Sequence, residues 1–129
     1  MQNPANLDIW RRSIELAVRV ADLGSQISGR IAPGLANQMR RASTSIPANI
    51  AEGAGQESPA QCVRFLSISI GSAFELESHL ILLARLHPEL SEFEEILDEL
   101  RQIRRMTHSY REFKKRQVDE RSTKRKPES

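Results

Sequence analysis

Apolar residues along this chain recur three and four positions apart in four separate segments. This spacing places them on one side of a helix, because an α-helix turns once in about 3.6 residues. The alternation of apolar and polar residues that is typical of strands is absent. The pattern therefore predicts an all-α protein with four amphipathic helices.

A stretch rich in glycine and proline separates the first two segments. The first segment covers about residues 7–28, and residues 29–34 end it because glycine and proline both oppose helix continuation. The second covers about residues 35–52 and contains Pro47. Since proline removes one backbone hydrogen bond and crowds the preceding turn, we expect a second helix that is kinked at Pro47 or divided near residues 43–46.

The third segment has the clearest start signal. Ser58 is followed by Pro59 and, three positions after the serine, by Gln61, as in a capped helix with proline at its first position. The segment continues to about Leu86, and its apolar residues cover more than one face. A helix of this kind needs neighbours on several sides, so we expect the protein to oligomerise.

The fourth segment opens with a second capping box at Ser91 and has its acidic residues in the first turns and its arginines further on, as the helix dipole favours. Beyond it the chain is polar and rich in Lys and Arg. We therefore divide the protein into a helical domain, residues 1–115, and a basic C-terminal tail, residues 116–129, which we expect to be disordered.

The net charge of +2 conceals an uneven distribution. Residues 1–88 carry 8 basic and 7 acidic side chains, residues 89–100 carry 6 acidic and no basic ones, and residues 101–129 carry 11 basic and 4 acidic ones. A basic C-terminal third attracts phosphate backbones or an acidic protein surface. Basic tails are also common in proteins that bind no nucleic acid, so charge alone leaves both interpretations open.

Composition indicates a globular protein in a reducing compartment. The chain has 129 residues, 39% of them hydrophobic and 28% charged, which suits one core. We expect no membrane association, because no stretch approaches the roughly 20 apolar residues that span a bilayer. Cys62 is the only cysteine, so no intramolecular disulfide can form and a cytoplasmic location is expected.

Candidate catalytic groups are few. His79, His87 and His108 lie outside any recognisable motif, and the Glu75 to His79 spacing does not match the Glu-x-x-His pairs of di-iron bundles. Cys62 is expected to be a small buried hydrophobe. The sequence therefore predicts no cofactor, no metal site and no enzymatic activity.

Polar residues interrupt the apolar pattern of the second helix, and two interpretations compete for them. In the structural one, Ser43 and Ser45 satisfy carbonyls freed by Pro47, while Asn49 and Glu52 make buried polar contacts. In the functional one, Arg40 and its neighbour Arg41 form a patch that binds an anion or RNA.

Two stretches carry a family resemblance: residues 35–53, which contain Ser-Ile-Pro-Ala-Asn-Ile-Ala-Glu-Gly, and residues 65–77. They resemble the bacterial four-helix bundle protein family, also called the rRNA intervening-sequence protein family. The resemblance covers about residues 7–113 and leaves out the tail. It departs from the family at residues 30–34, Arg-Ile-Ala-Pro-Gly, where members usually have a proline, an acidic and a bulky residue.

The resemblance implies an up-and-down four-helix bundle that assembles as a ring-like homopentamer, often with a positively charged surface, and that has no enzymatic activity. Members are encoded within intervening sequences of large-subunit rRNA genes, and similar proteins accompany the reverse transcriptases of diversity-generating retroelements as accessory subunits. Arg40 and Arg41 match the family's paired basic positions. Asn49, Glu52 and Glu75 match polar positions to which we assign structural roles.

The leading hypothesis is a non-enzymatic, oligomeric accessory protein that binds RNA or another nucleic acid and is associated with rRNA or the ribosome. Binding is expected to be mainly electrostatic, because the aromatic residues lie mostly on predicted core stripes and leave few groups for stacking on bases. The candidate contact residues are Arg40, Arg41, Arg101, Arg104, Arg105, Arg111, Lys114 and Lys115. The alternative is a homo-oligomeric scaffold that binds an acidic protein, such as a polymerase or reverse transcriptase, without touching nucleic acid.

Overall fold

The computed structural model describes residues 2–4, 7–27 and 34–125. Four helices account for nearly all of them: α1 (Asp8–Ser25), α2 (Leu35–Ala54), α3 (Pro59–Leu86) and α4 (Phe93–Arg125). Each helix packs on the two that adjoin it around the bundle, α1 on α2 and α4, and α3 on α2 and α4. The chain is thus an all-α four-helix bundle, as the sequence predicts, and the predicted break at residues 29–33 lies outside the described residues.

The apolar stripes of the four helices meet in a single core. Each stripe repeats at three- and four-residue intervals, which keeps its members on the inward face of a helix. The largest fully buried side chains are Leu16, Leu23, Met39, Ile46, Ile50, Leu66, Leu76, Leu80, Leu83, Ile96, Leu100 and Ile103. Burial of such aliphatic side chains stabilises the bundle by about 1.5–3 kcal/mol each before chain entropy is counted.

Helix α3 begins where the sequence predicts. The Ser58 hydroxyl accepts a hydrogen bond from the backbone N–H of Gln61 at 3.4 Å, and Pro59 occupies the first helical position. By length and hydropathy α3 could cross a membrane, but core helices pass the same test, and its buried side chains pack within the bundle. Helix α4 begins at Phe93, one residue later than a cap at Ser91 would place it.

Helix α2 runs without interruption through Pro47, so the predicted division into two pieces is not observed; the kink stays a prediction. Pro47 lacks the N–H that would reach the carbonyl of Ser43. The Ser43 hydroxyl donates to the Arg40 carbonyl at 2.9 Å, and the Ser69 hydroxyl of α3 donates to the Ile46 carbonyl at 3.0 Å. Two hydroxyl groups thus lie near Pro47. They donate to the carbonyls of Arg40 and Ile46, and not to the Ser43 carbonyl that the proline leaves without its helical donor.

Helix α4 is longer than predicted. It continues to Arg125, ten residues past the expected end of the helical domain, so the expectation of disorder from residue 116 differs from the structure over 116–125. Residues 116–125 contain no Gly or Pro, and Val118 lies beside Ala60 and Val63 of α3. High helix propensity and this apolar contact outweigh the polar composition. Residues 126–129 lie outside the described residues, and the domain boundary at 115 stays a prediction.

An ion-pair network joins α1 to α4. The Arg12 guanidinium donates to both carboxylate oxygens of Glu99, at 2.7 and 2.8 Å, and to the side-chain oxygen of Gln102 at 2.8 Å. Two turns further along α1 and one turn back along α4, Arg19 pairs with Glu95 at 3.2 Å. The hydrogen bond from Arg12 lowers the pKa of Glu99 below its ordinary value, because it favours the charged carboxylate. We call these four ion-paired residues the α1/α4 edge.

Candidate nucleic-acid interface

A groove between α3 and α4 collects most of the predicted basic residues. Ile70 and Phe74 of α3 form its apolar floor, and a cavity of about 310 Å³ opens above them. Arg104, Arg105, His108 and Ser109 of α4 supply the polar wall. Positions 101, 104, 108, 111 and 115 recur at three- and four-residue spacing, so a helix places them along one side. We call this surface the α3/α4 groove.

Glu77 of α3 fixes two of the arginines. One of its carboxylate oxygens accepts from Arg101 at 3.0 Å and from Arg104 at 3.2 Å. The Arg104 guanidinium also lies over the ring of Phe74, 4.3 Å from its centroid. Because one carboxylate pairs with two guanidinium groups, Glu77, Arg101 and Arg104 together keep a net positive charge at this end of the groove.

The cationic line continues towards the start of α3. Arg111 donates to the Ser67 hydroxyl at 3.3 Å, and its buried Nε has no hydrogen-bond partner in the described part of the chain. Glu112 lies within 3.7 Å of His108 and Arg111 and within 3.5 Å of Lys115. Lys115 faces Ala60 and Val63 across a shallow groove.

The charges along the α3/α4 groove do not balance. Five permanent cations, Arg101, Arg104, Arg105, Arg111 and Lys115, adjoin three carboxylates, Glu77, Glu112 and, beside Lys115, Asp119. An excess of positive charge along one side of a helix pair attracts the phosphate backbone of nucleic acids. Five of the eight residues proposed from the sequence therefore lie on one surface.

The other three predicted residues lie elsewhere. The Lys114 ammonium lies 5.7 Å from the ring centroid of Tyr110 and 5.9 Å from that of Phe113. Arg40 and Arg41 are on α2, which packs on α1 and α3. Arg40 donates to Asn37 at 2.6 Å, and Arg41 lines a separate polar cavity beside Ser45.

The polar residues of α2 form contacts with α3. The hydroxyls of Ser45 and Ser72 lie 2.8 Å apart, and the side-chain amide of Asn49 donates to the Ser45 carbonyl at 2.8 Å. A Cβ at Gly53 would lie 3.2 Å from the Cys62 carbonyl oxygen, so glycine permits the close approach of the helices there. Ser45 and Gly53 thus serve the packing of α2 on α3, whereas Asn49 bonds to Ser45 within α2 and Glu52, expected to make a buried polar contact, is exposed.

Phe74 is one of the apolar residues by which the sequence predicts that α3 is apolar on more than one face. It is 55% exposed and lines the α3/α4 groove, whereas Ile68, Ile81, Leu82 and Leu86 are exposed outside the cavity of that groove. We call these four residues the apolar outer face of α3. The signal was present in the sequence, because α3 is apolar around more than one face, but periodicity alone does not say which residues stay outside. His108, Ser109 and Glu77 are further groove residues that were not predicted as contacts.

Two groups with potential for catalysis, the Cys62 thiol and the Tyr110 hydroxyl, lie close to each other, and the pKa of each is raised. Cys62 is buried, and burial raises the pKa of its thiol, which disfavours the reactive thiolate. Burial also raises the pKa of Tyr110 to about 12. His87 contacts Glu89 at 2.8 Å, at the far end of α3 from Cys62. Among the described residues, no three His, Cys, Asp or Glu side chains are grouped so that they could hold a metal ion.

Comparisons with known proteins identify the family. No curated protein matches the chain. A crystal structure of a protein of unknown function from the S23 ribosomal protein family of Bacteroides thetaiotaomicron is similar, with a TM-score of 0.72 and 28% sequence identity over 79% of this chain and 96% of that one. The sequence profile of the 23S rRNA-intervening sequence proteins matches residues 5–109, and the chain therefore belongs to that family.

Proposed function

We propose that this protein is a non-enzymatic, homo-oligomeric accessory protein that binds RNA through the α3/α4 groove. The observation that carries the proposal is the excess of cations along the groove, where five cations adjoin three carboxylates, Glu77, Glu112 and Asp119. Arg104 and Arg111 are held in place by Glu77 and Ser67, so these side chains lose little freedom when a phosphate binds.

The family name supports rRNA or the ribosome as the setting. The matched profile is that of 23S rRNA-intervening sequence proteins, and the similar crystal structure comes from an S23 ribosomal protein family. We propose a cytoplasmic location, which suits the single buried cysteine and an rRNA partner. Arg40 and Arg41 lie on another surface and would be secondary contacts.

The outer face of α3 supports assembly. Ile68, Ile81, Leu82 and Leu86 are each between 41% and 49% exposed, and several large apolar side chains exposed on one helix favour a contact with another protein surface. We propose that copies of the chain cover this face in a ring-like homopentamer. The assembly would place several α3/α4 grooves on one particle and raise the avidity for a long RNA.

Light scattering of the purified protein, with absorbance at 260 and 280 nm, tests assembly and binding together. We expect a particle near five times 14.6 kDa that carries nucleic acid at low salt and loses it at high salt. A stable monomer free of nucleic acid would overturn both claims.

A second candidate function is a scaffold for an acidic protein such as a polymerase or reverse transcriptase. The exposed apolar side chains of α3 favour it, because Phe74 lines the basic groove and together with the groove arginines resembles the apolar centre and charged rim of a protein interface. Capture of partners before and after nuclease treatment separates the two functions. Partners that remain after nuclease favour the scaffold, and partners that are lost favour RNA.

A further inference from the structure

The α3/α4 groove contains an exposed aromatic ring as well as cations. Phe74 is 55% exposed and lies at the floor of the cavity with Ile70, and Arg105 and Arg104, whose guanidinium lies over the ring, also line the cavity. An exposed phenylalanine is unfavourable in water, so its place beside a cationic wall calls for an explanation. Phosphate-backbone binding alone uses the arginines and leaves the ring without a role.

The position of Phe74 is fixed by its neighbours. The Arg104 guanidinium lies 4.3 Å from the centroid of the ring and is itself held by Glu77 at 3.2 Å. The ring is therefore covered by a guanidinium on one face, and the rest of its surface contributes to the exposed floor. A ring held in this way is a preformed platform for a second planar group.

We infer that Phe74 stacks on an unpaired base, so that the groove binds single-stranded RNA in preference to a duplex. This inference rests on the proposed RNA binding and deepens it. A base on the free face of the ring would complete a layer of guanidinium, phenyl ring and base, and the flanking phosphates would meet Arg105 and His108 on the wall. In a duplex the bases are stacked on each other, and their faces are closed to the ring.

Stacking of this kind tolerates any base, because every base has a flat aromatic face. The preference is therefore for strand form and not for sequence. The cavity of about 310 Å³ lies at the lower end of the range of about 300–1,000 Å³ that ligand pockets occupy, which fits one base better than a larger ligand.

The test compares a fluorescently labelled oligoadenylate RNA with an abasic strand of the same length and charge. We expect the full-length protein to bind the adenine strand more tightly, by about fivefold to a hundredfold, the range for one stacked base. Phe74→Leu should lose the preference, so that the variant binds the adenine strand and the abasic strand equally. Leucine keeps the apolar floor and removes the ring, and the site is exposed, so folding should be preserved.

Phe113→Leu is the matched control. Phe113 is 45% exposed and also lies near cations, Lys114 and Arg116, each 5.9 Å from its ring, but it does not line the α3/α4 groove. We expect this variant to keep the preference for the adenine strand. An equal loss in both variants would overturn the assignment of stacking to Phe74. A strand carrying 2-aminopurine, whose fluorescence falls on stacking, should be quenched by the wild type and not by Phe74→Leu.

The remaining outcomes separate the two proposals. Equal binding of both strands by the wild type would overturn stacking and leave electrostatic RNA binding in place. Failure to bind either strand at low salt would overturn RNA binding, and stacking with it. A change of particle mass in Phe74→Leu would show that the ring contacts another copy of the chain, which also overturns the stacking role.

Discussion

The two edges of α4 use the same residue types in opposite ways. At the α1/α4 edge two arginines of α1 meet two glutamates of α4, and the closest pair is held by two hydrogen bonds of 2.7 and 2.8 Å. At the α3/α4 groove five cations meet three carboxylates. Matched charges hold helices together, whereas unmatched ones remain available to a ligand. The difference separates a structural arginine from a candidate binding arginine.

Removing groove cations should produce the largest effect. Arg101→Gln with Arg105→Gln removes two groove cations and leaves Glu77 paired with Arg104. We expect RNA affinity at low salt to fall about tenfold to a hundredfold, and the slope of log affinity against log salt to become shallower by about 0.7 for each lost phosphate contact. Fluorescence anisotropy over a salt series measures both.

Arg11→Gln with Arg19→Gln is the control for net charge, because it removes two exposed cations from α1. It should change affinity by less than about twofold if groove contacts and not the overall field determine binding. An effect as large as that of the groove variant would erase the difference between the two edges.

Truncating Arg12 should destabilise the fold. Arg12→Met leaves the Glu99 carboxylate without its main partner. The Glu99 side chain is only 26% exposed. We expect the free energy of unfolding in urea to fall by about 1–2 kcal/mol, a value that allows for screening by solvent. Arg101→Met should cost less than about 0.5 kcal/mol, since Arg104 still pairs with Glu77. Equal costs would contradict the structural role of the α1/α4 edge.

Removing a groove carboxylate should strengthen binding. Glu77→Gln keeps the shape of the side chain and releases the charges of Arg101 and Arg104, so RNA affinity should rise about threefold at low salt. Glu99→Gln removes the same charge from the other edge and should leave affinity unchanged. Weaker binding by Glu77→Gln would mean that the loss of positioning outweighs the released charge, and the view of Glu77 as mainly a partial neutraliser would be abandoned.

Acid should weaken the α1/α4 edge. The pKa of Glu99 is lower in the folded protein than in the unfolded chain, so the unfolded chain binds more protons as pH falls through that window. The stabilisation is present above the ordinary glutamate pKa and is lost as pH falls towards the lowered value. We expect urea unfolding at pH 7 and at about pH 3 to differ more in the wild type than in Glu99→Gln. An equal difference in the wild type and in Glu99→Gln would contradict the stabilising role of the Glu99 carboxylate.

The last prediction concerns the ionisation of Tyr110 and involves no change of function. Tyr110 is the only tyrosine, and burial raises its pKa to about 12. Absorbance at 295 nm should therefore show ionisation near pH 12 in the folded protein and near pH 10, the ordinary value, in guanidinium chloride. Tyr110 follows directly after the family match at residue 109. Titration near pH 10 in the folded state would contradict the packing of this part of α4.

The sequence was sufficient for the helices but not for the outer surface. The stripe that contains Leu66, Leu76 and Leu80 follows helical periodicity, and these residues are fully buried. Phe74 and Leu82 belong to the same apolar helix, yet they are exposed, because the bundle supplies neighbours to only part of α3. Which side stays open depends on how helices far apart in sequence pack, and local spacing carries no information on that.

Charge counting had a similar limit. It identified α4 as basic, but it could not separate Arg104, which lies in the groove, from Lys114, which lies near Tyr110. The polar composition of residues 116–125 likewise suggested disorder, whereas their helix propensity and the contact of Val118 with α3 continue the helix.

Photo-cross-linking identifies directly the residues that contact bound RNA. An RNA carrying 4-thiouridine is bound to the full-length protein at low salt, irradiated and digested, and the linked peptides are identified by mass spectrometry. If RNA binds in the α3/α4 groove, links should form within residues 67–77 of α3 and 101–115 of α4. They should be lost in Arg101→Gln with Arg105→Gln. Links confined to α1 or to Arg40 and Arg41 of α2 would contradict the assignment of RNA binding to the α3/α4 groove.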